Sequence, residues 1–332
     1  MAVTIADITK LRKLTGAGLA DCKKALEESD NNIDAAIEII RAKGQAVAAK
    51  RSDRDASEGC VLAKYENGFA AIIALKCETD FVANNADFVK LTRDILDLAV
   101  ANKCKDLEEV KALTLGGVSV AQAVVDRSGI TGEKMELDGY MTIEGENVAV
   151  YDHMGKHTLA TMVQLSQDNP DAAHKIAMQV AAMRPVALDE ASVPQQIKDQ
   201  ELEVAIQKTK EEQVEKAVVA ALKKAGINAN LVDSDDHIES NMAKGWLTQE
   251  EADRARQIKK ETAEQKAANL PEQMIQNIAQ GRMAKFFKEN CLAEQEFQFA
   301  DSAEKVTVTQ WLQQQDKDLK VLDFKRFTLR SE

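Results

Sequence analysis

Apolar residues along the first 44 positions recur at intervals of three and four, a spacing that places them on one face of a helix. Three such stripes follow one another: Ile5, Ile8, Leu11 and Leu14; Leu19, Cys22 and Leu26; Ile33, Ile37 and Ile40. Breaks at residues 15–18 and 30–32 separate the stripes, and Gly44 is well placed to end the third helix. Residues 1–44 therefore predict a three-helix bundle, and the small, charged residues 45–58 predict a helical or flexible linker.

From residue 60 the pattern changes to an alternation with period two, which is typical of strands. Two alternating runs within residues 60–77 flank Asn67 and Gly68, and this dipeptide is the strongest short signal for a hairpin. A helix face then follows, formed by Phe88, Leu91, Ile95 and Leu98. We therefore expect residues 59–134 to form one core subdomain.

A similar unit recurs further along the chain. Residues 135–144, 147–153 and 158–166 predict three strands, and Pro170 begins a helix that runs to Met183. Strand patterns return near the C-terminus at Phe297 and Phe299, at Val306 and Val308, and at Val321, Phe324 and Phe327. Residues 135–194 and 289–332 are thus expected to form a second core subdomain. The two strand-then-helix units predict a pseudo-duplicated α+β core with antiparallel sheets.

Residues 195–288 have a different character, being almost free of aromatics, densely charged and rich in helix formers. One apolar stripe continues through Leu202, Ile206, Val214, Val218 and Leu222. We interpret this segment as an extended helical hairpin or antiparallel coiled coil, although its irregular spacings do not support a strict heptad.

Composition excludes several classes of function. The chain has 43 lysines and arginines against 55 aspartates and glutamates, a net charge of −12 that opposes direct binding of nucleic acid. No stretch approaches the roughly 20 apolar residues of a membrane span, and the N-terminus has no secretory signal. The five cysteines are scattered, without a C-x-x-C pair. We expect a cytoplasmic protein with free thiols, no metal site and no cofactor.

No motif for covalent chemistry is evident. Gly16-Ala17-Gly18 lacks the flanking strand and third glycine of a dinucleotide fingerprint, and no G-x-x-x-x-G-K occurs. A thiol enzyme using Cys77 is the weakest hypothesis, because no histidine lies near that residue in sequence. The sequence therefore predicts a protein that is not an enzyme.

The most informative segment is residues 77–85, where an apolar strand pattern ends and a helical pattern begins. It carries one carboxylate, Asp80, and one large aromatic, Phe81. Leaving an apolar side chain in water forfeits about 1.5–3 kcal/mol of burial free energy. Phe81 therefore either packs into its own core or waits for a pocket on a partner, and the local pattern leaves both alternatives open.

Four segments of the chain resemble the signatures of bacterial translation elongation factor Ts. They are residues 11–26 (LRKLTGAGLADCKKAL), 77–83 (CETDFVA), 174–182 (HKIAMQVAA) and 280–286 (QGRMAKF). The four segments occur in family order and span most of the chain, so together they are highly specific.

The resemblance implies a guanine-nucleotide exchange factor that binds elongation factor Tu carrying GDP and promotes GDP release. In that family the N-terminal bundle is ubiquitin-associated-like and docks on the GTPase domain of Tu. The helical hairpin projects from the core and mediates dimerisation in some members, so a homodimer through the hairpin is one expectation.

The resemblance also implies the residues that contact Tu. They are Arg12, Gly16, Gly18, Leu19, Ala20 and Asp21 on the bundle, Thr79, Asp80, Phe81 and Val82 in the central loop, and His174 and Met178 on the helix after the second sheet. In this interpretation Phe81 inserts as a wedge, and Asp80 disturbs the Mg²⁺ of the partner.

The chain departs from the family in several places. Leu19 and Ala20 stand where the family often has two methionines, and Lys76 stands where asparagine is common. The helical segment is much longer than the usual hairpin. The chain is also expected to lack the extra C-terminal helix through which some members touch Tu. The alternative hypothesis is an adaptor or scaffold that uses the bundle and the coiled coil for assembly.

Overall fold

A computed structural model describes residues 3–300 and 305–330 of the chain. The chain divides into two compact units, Met1–Leu188 with Gln295–Glu332, and Asp189–Glu294. None of the helices in the described part is long and apolar enough to cross a membrane. Parts of three predicted segments lie outside the described residues, namely residues 1–2, 301–304 and 331–332.

The first unit contains helices and strands in mixed order. Its elements are α1 (Ile5–Thr15), α2 (Leu19–Glu28), α3 (Ile33–Lys50), β1 (Glu58–Glu66), β2 (Phe69–Cys77), α4 (Asp80–Ala83), α5 (Ala86–Ala101), α6 (Leu107–Ala112), β3 (Thr114–Leu115), β4 (Val118–Ser119), α7 (Val120–Thr131), β5 (Glu136–Glu144), β6 (Val148–Asp152), β7 (Leu159–Leu165) and α8 (Pro170–Met183). The second unit follows with α9 (Gln195–Lys224), α10 (Asp235–Ala243), α11 (Gln249–Ala268) and α12 (Glu272–Asn290). The chain then returns to the first unit with α13 (Val308–Gln315) and β8 (Val321–Thr328).

The three predicted N-terminal helices are present, and local signals explain their ends. Thr4 and Asp7 form a capping box at the start of α1, and Gly16 ends that helix in the left-handed conformation, with φ 71°. Leu11 and Leu26 are fully buried. The stripes were wrong at three positions, because Ile5, Leu14 and Leu19 are 83%, 60% and 57% exposed.

Gly44 does not end the third helix, as the sequence had suggested, since α3 continues to Lys50 through the first residues of the predicted linker. Gly44 is buried where α3 crosses α7. A Cβ atom on Gly129 of α7 would lie only 2.4 Å from Gly44 Cα. The glycine therefore permits a close helix crossing rather than a helix end, and tertiary contact outweighs its low helix propensity.

Two three-stranded antiparallel sheets, with orders β1-β2-β5 and β6-β7-β8, form the core. In each, a hairpin is followed much later by a third strand that pairs with the second strand of the hairpin. This shared order is consistent with duplication. The third strand of the first sheet was assigned to the wrong subdomain, because β5 pairs with β2, with Leu137 opposite Leu75. Because β2 is buried on both faces, water cannot satisfy its backbone N–H and C=O groups, and each edge of the strand needs a hydrogen-bonded neighbour.

Alternate residues of β2 serve two different hydrophobic cores. Ile73 and Leu75 pack in a cluster with Phe88 and Ile95 of α5. The residues between them, including Ile72, pack instead in a cluster with β6 and β7 of the second sheet. The period-two pattern of the sequence thus places β2 between a helix layer and a second sheet.

The predicted C-terminal strands are only partly confirmed. Val321 begins β8, but Val308 begins helix α13, which a capping box of Thr307 and Gln310 initiates. Phe297 packs against the Trp311 ring, with the ring centroids 4.2 Å apart. Before β8, the described residues from Phe297 to Val308 take part in strand pairing only through one isolated bridge between Glu296 and Thr307. Their apolar side chains pack against α13 instead of extending a sheet.

The second unit is helical, and its long helix α9 packs against both α11 and α12. A salt bridge of 2.7 Å joins Glu212 of α9 to Arg282 of α12. The returning limb is broken at Pro271, between α11 and α12. Ile238 of the small helix α10 packs with Leu222 of α9 and with Leu247 in a separate hydrophobic core. The unit is therefore a helical hairpin with a broken second limb and an elaborated tip.

Replacement of Gly129 by alanine tests the crossing of α3 and α7. The added methyl would meet the backbone of Gly44, so we expect Gly129→Ala to destabilise the protein by about 1–3 kcal/mol. Gly281 provides the matched control, because a Cβ there meets nothing within 4 Å. Gly281→Ala should leave stability unchanged or raise it by up to about 1 kcal/mol. Calorimetric unfolding of both variants measures these effects, and equal changes would contradict a close-contact role for Gly129.

Candidate functional site

The segment after β2 folds into a single helical turn. Thr79 caps it, its hydroxyl accepting a hydrogen bond from Val82 N at 3.4 Å. Asn84 closes it, because its backbone and side-chain nitrogens donate to Asp80 O at 3.0 and 2.8 Å. We call residues 79–84 the Phe81 turn. Polar residues at both ends thus stabilise a turn too short to persist alone.

Phe81 projects from this turn into solvent and is 83% exposed. The alternative that it packs into its own core is therefore wrong. Thr79 and Asp80 beside it are also exposed. Val82 is only 7% exposed and belongs to the core beneath α5, so its expected contact with a partner is corrected to an anchoring role.

Two carboxylates from different parts of the chain hold the base of the Phe81 turn. Glu133, just after α7, accepts hydrogen bonds from Glu78 N and Thr79 N at 3.2 and 3.1 Å and from the Thr79 hydroxyl at 2.7 Å. In return Glu78 accepts from Lys134 N at 2.6 Å and from the Arg51 guanidinium at 2.9 Å. The Lys134 N–H, followed by Arg51, lowers the pKa of Glu78 below its ordinary value.

Sequence reasoning missed Glu133 and Arg51 as parts of this site. Glu133 is one of 55 acidic residues and lies 54 positions from Thr79. Arg51 lies in the predicted linker. The short pattern around either residue carries no signal for these contacts, because they depend on where α3 and α7 end in space.

The Cys77 thiol is buried at the end of β2 and donates to Thr79 O at 3.2 Å. Burial raises the pKa of this thiol to about 12. At neutral pH the thiol stays protonated, and the thiolate is the reactive form. Burial and a protonated thiol therefore argue against the hypothesis that Cys77 acts as a nucleophile.

The bundle presents a second group of predicted site residues at the turn between α1 and α2. Arg12, Gly16, Gly18 and Ala20 are exposed, and Asp21 is half-buried and paired with Lys43. Leu14 and Leu19 are 60% and 57% exposed. Two leucines in water beside a tight turn form an apolar surface that the bundle does not use for its own core.

The two glycines of this turn have different structural roles. Gly16 has φ 71° and requires the left-handed conformation. Gly18 has φ −63° and ψ 154°, which every residue adopts, and a Cβ there would come no closer than 3.9 Å to another group. The backbone conformation therefore explains why residue 16 is a glycine, but it does not explain why residue 18 is one.

The structure brings some of these surfaces together. A cleft of about 350 Å³ is lined by Gly16, by Asp87 and Leu91 of α5, and by Arg127 and Ile130 of α7. The α1–α2 turn thus lies beside the helix that follows the Phe81 turn. A second cleft of about 410 Å³ places Asn84 beside residues 156–158 of the β6–β7 turn.

The β6–β7 turn adds an exposed apolar residue that the sequence did not single out. Met154 is 69% exposed and has a φ of 57°, a left-handed conformation that is uncommon outside glycine. Its side chain is therefore displayed at some conformational cost, which is typical of functional turns.

His174 and Met178 lie elsewhere in the first unit. His174 is exposed on α8 and contacts Tyr151 edge to face, with the ring centroids 5.4 Å apart. It lines a cleft of about 680 Å³ with Tyr65, near the hairpin end of β1. The Phe81 turn follows the opposite end of β2, on the order of 20 Å away along the strand. Met178 is half-buried.

A metal centre was not predicted. Among the described residues, no group of three or more histidine, cysteine, aspartate or glutamate side chains is arranged to hold a metal ion.

Comparison with known proteins decides the family. The family model described as Elongation factor TS matches residues 78–234 and 219–331 of the chain. The chain belongs to the elongation factor Ts family. The elongation factor Ts proteins of Bacteroides fragilis and Porphyromonas gingivalis are similar to it, at 64% and 44% identity over the full length of both chains. That of Azobacteroides pseudotrichonymphae is 35% identical, again over both full lengths.

Membership of the elongation factor Ts family confirms the resemblance drawn from the four sequence segments. The alignments also cover the whole of each relative, 333 positions in the case of Bacteroides fragilis. The segment that forms the long helical unit is therefore present in those family members as well.

Alanine substitutions at Gly16 and Gly18 test the distinction between the two glycines. Gly16→Ala forces a Cβ into the left-handed conformation and should cost about 1–2 kcal/mol of stability. Gly18→Ala should change stability by less than about 0.5 kcal/mol. Calorimetric unfolding compares the two, and a large loss in Gly18→Ala would show that the fold itself requires that glycine.

Proposed function

We propose that this chain is the guanine-nucleotide exchange factor for elongation factor Tu. It binds Tu carrying GDP and promotes GDP release during translation elongation, with no covalent chemistry of its own. The observation that carries the proposal is Phe81, an aromatic side chain that is 83% exposed on a turn whose base is held by hydrogen bonds to the carboxylates of Glu78 and Glu133. Family membership supports the same function.

Phe81 acts as a wedge for an apolar pocket in Tu. Moving a phenylalanine from water into such a pocket contributes about 1.5–3 kcal/mol. Because Thr79 and Asn84 already fix the backbone of the turn, little conformational entropy is lost when the partner binds. The insertion energy is thus available to displace groups of Tu around its nucleotide.

Asp80 places a carboxylate next to this wedge. Its side chain is exposed, and its carboxylate makes no hydrogen bond or salt bridge with the described residues. Mg²⁺ prefers oxygen ligands in a strict octahedral arrangement. A carboxylate that arrives beside it perturbs that coordination, and GDP loses affinity when the metal is displaced.

The energetics of exchange follow from linkage between two ligands of Tu. If the factor weakens GDP binding by a certain ratio, GDP weakens binding of the factor by the same ratio. A coupling of about 4 kcal/mol corresponds to roughly a thousandfold faster release when it acts entirely on the off-rate. The factor is then released once a new nucleotide and Mg²⁺ enter Tu.

The remaining surfaces hold Tu in place for this step. We assign the bundle a ubiquitin-associated-like docking role on the GTPase domain, through Arg12, Gly18, Leu19, Ala20 and Asp21. His174 and Met178 approach the nucleotide domain from α8. The helical unit acts as a coiled coil that supports dimerisation. The protein works in the cytoplasm, without direct contact to nucleic acid or membrane.

Alanine substitutions in the Phe81 turn test this division of roles. Phe81→Ala and Asp80→Ala should each slow catalysed GDP release by about tenfold to a hundredfold, because the energy that displaces the metal and nucleotide is lost. Binding to nucleotide-free Tu should weaken less, since the docking surfaces remain. Release of fluorescent GDP from Tu and titration of nucleotide-free Tu measure the two quantities.

Trp246→Ala is the matched control, because Trp246 is a second aromatic that is 64% exposed but lies in the helical unit. It should leave GDP release unchanged. Equal losses of release and binding in Phe81→Ala would mean that the turn only binds. If the protein is an adaptor instead, Leu19→Ala should abolish partner binding while Phe81→Ala has no effect.

A further inference from the structure

Phe81 cannot orient itself, because a side chain that is 83% exposed makes few contacts with its own protein. The direction in which the ring points is therefore set by the backbone from which it projects. Val82 and Ala83 anchor one side of that backbone in the core. On the other side, Cys77 is the last residue of β2, so Glu78 and Thr79 lie beyond the sheet.

The backbone N–H groups of Glu78 and Thr79 have no strand partner, and Glu133 accepts from both. The same carboxylate also accepts from the Thr79 hydroxyl, which places three donors on one side chain. Hydrogen bonds to an ionised carboxylate are about twice as strong as neutral ones. Glu133 therefore fixes the first residues of the Phe81 turn relative to α7.

The fixation is reciprocal. While Glu133 binds the backbone at positions 78 and 79, Glu78 binds the backbone at Lys134 and the guanidinium of Arg51. We call the four residues Arg51, Glu78, Glu133 and Lys134 the carboxylate clamp. Arg51 caps the end of α3, and Glu133 follows Gly132, which ends α7. The clamp thus connects the Phe81 turn to two helices at once.

We propose that Glu133 is a positioning residue for nucleotide exchange, which holds Asp80 and Phe81 in the direction that the partner requires. This role rests on the proposed function. The internal hydrogen bonds of the turn, from Val82 N to the Thr79 hydroxyl and from the Asn84 side chain to Asp80 O, do not involve Glu133. Removing Glu133 therefore leaves the helical turn intact but frees its orientation.

Loss of a fixed orientation of the Phe81 turn should reduce the rate of exchange more than it reduces the affinity for Tu. Complex formation also uses the bundle and α8, whereas displacement of metal and nucleotide depends on where Asp80 and Phe81 arrive. A misplacement of about 1 Å can reduce the rate of an enzymatic step on the order of a hundredfold. The clamp should therefore set the maximal rate of GDP release at saturating factor, and not the concentration of factor at half-saturation.

The experiment measures fluorescent GDP release from Tu over a range of factor concentrations, with the full-length chain and its Glu133→Ala, Glu133→Gln and Glu136→Ala variants. Glu133→Ala should lower the maximal release rate by about tenfold or more, with affinity for nucleotide-free Tu changed less than about threefold. Glu133→Gln keeps the shape of the side chain but loses its charge, so its maximal rate should fall by roughly threefold. Glu136→Ala is the control, because that exposed carboxylate meets Lys134 at 3.8 Å and makes no bond to the turn.

The outcomes separate this proposal from the proposed function. If the unaltered chain does not accelerate GDP release, the proposed function itself fails. If it does accelerate release and Glu133→Ala reaches the same maximal rate, or loses only affinity, the positioning role is overturned. Thermal unfolding identifies variants that do not fold, and if Glu133→Ala is among them, an unchanged maximal rate in folded Glu133→Gln overturns the role equally.

Discussion

The close crossing of α3 and α7 at Gly44 and Gly129 is the constraint on which the rest of the functional surface depends. It joins the N-terminal bundle to the sheet core without room for a side chain between the two backbones. The far end of α3 supplies Arg51, and the end of α7 leads into Glu133. One packed helix pair therefore fixes the bundle and, through hydrogen bonds, the base of the Phe81 turn.

The fixed position of the Phe81 turn explains how an exposed aromatic side chain can contribute to binding a partner. Most of the apolar side chains of β2 are buried in two cores, yet Phe81, four residues after its end, is left in water. The free energy forgone by that exposure is recovered when a partner provides a pocket. In a family named for translation elongation, the proposed partner is elongation factor Tu, and the rigid frame directs the recovered energy to its metal and nucleotide.

Local signals predicted much of the fold, and long-range contacts account for the rest. Asn67-Gly68 located the β1–β2 hairpin, and Pro170 located the start of α8, because turn and cap chemistry act within a few residues. The pairing of β5 with β2 joins residues about 70 positions apart. In the site, the motif indicated Phe81, but its exposure, the burial of Val82 and the contacts of Glu133 depend on packing that periodicity does not encode.

Gel filtration of the chain with elongation factor Tu tests the central claim most directly. The account predicts that the two proteins elute together when Tu is free of nucleotide, and that excess GDP with Mg²⁺ separates them, because the factor and the nucleotide weaken each other's binding. Co-elution that GDP and Mg²⁺ leave unchanged, or no co-elution with nucleotide-free Tu, would contradict it.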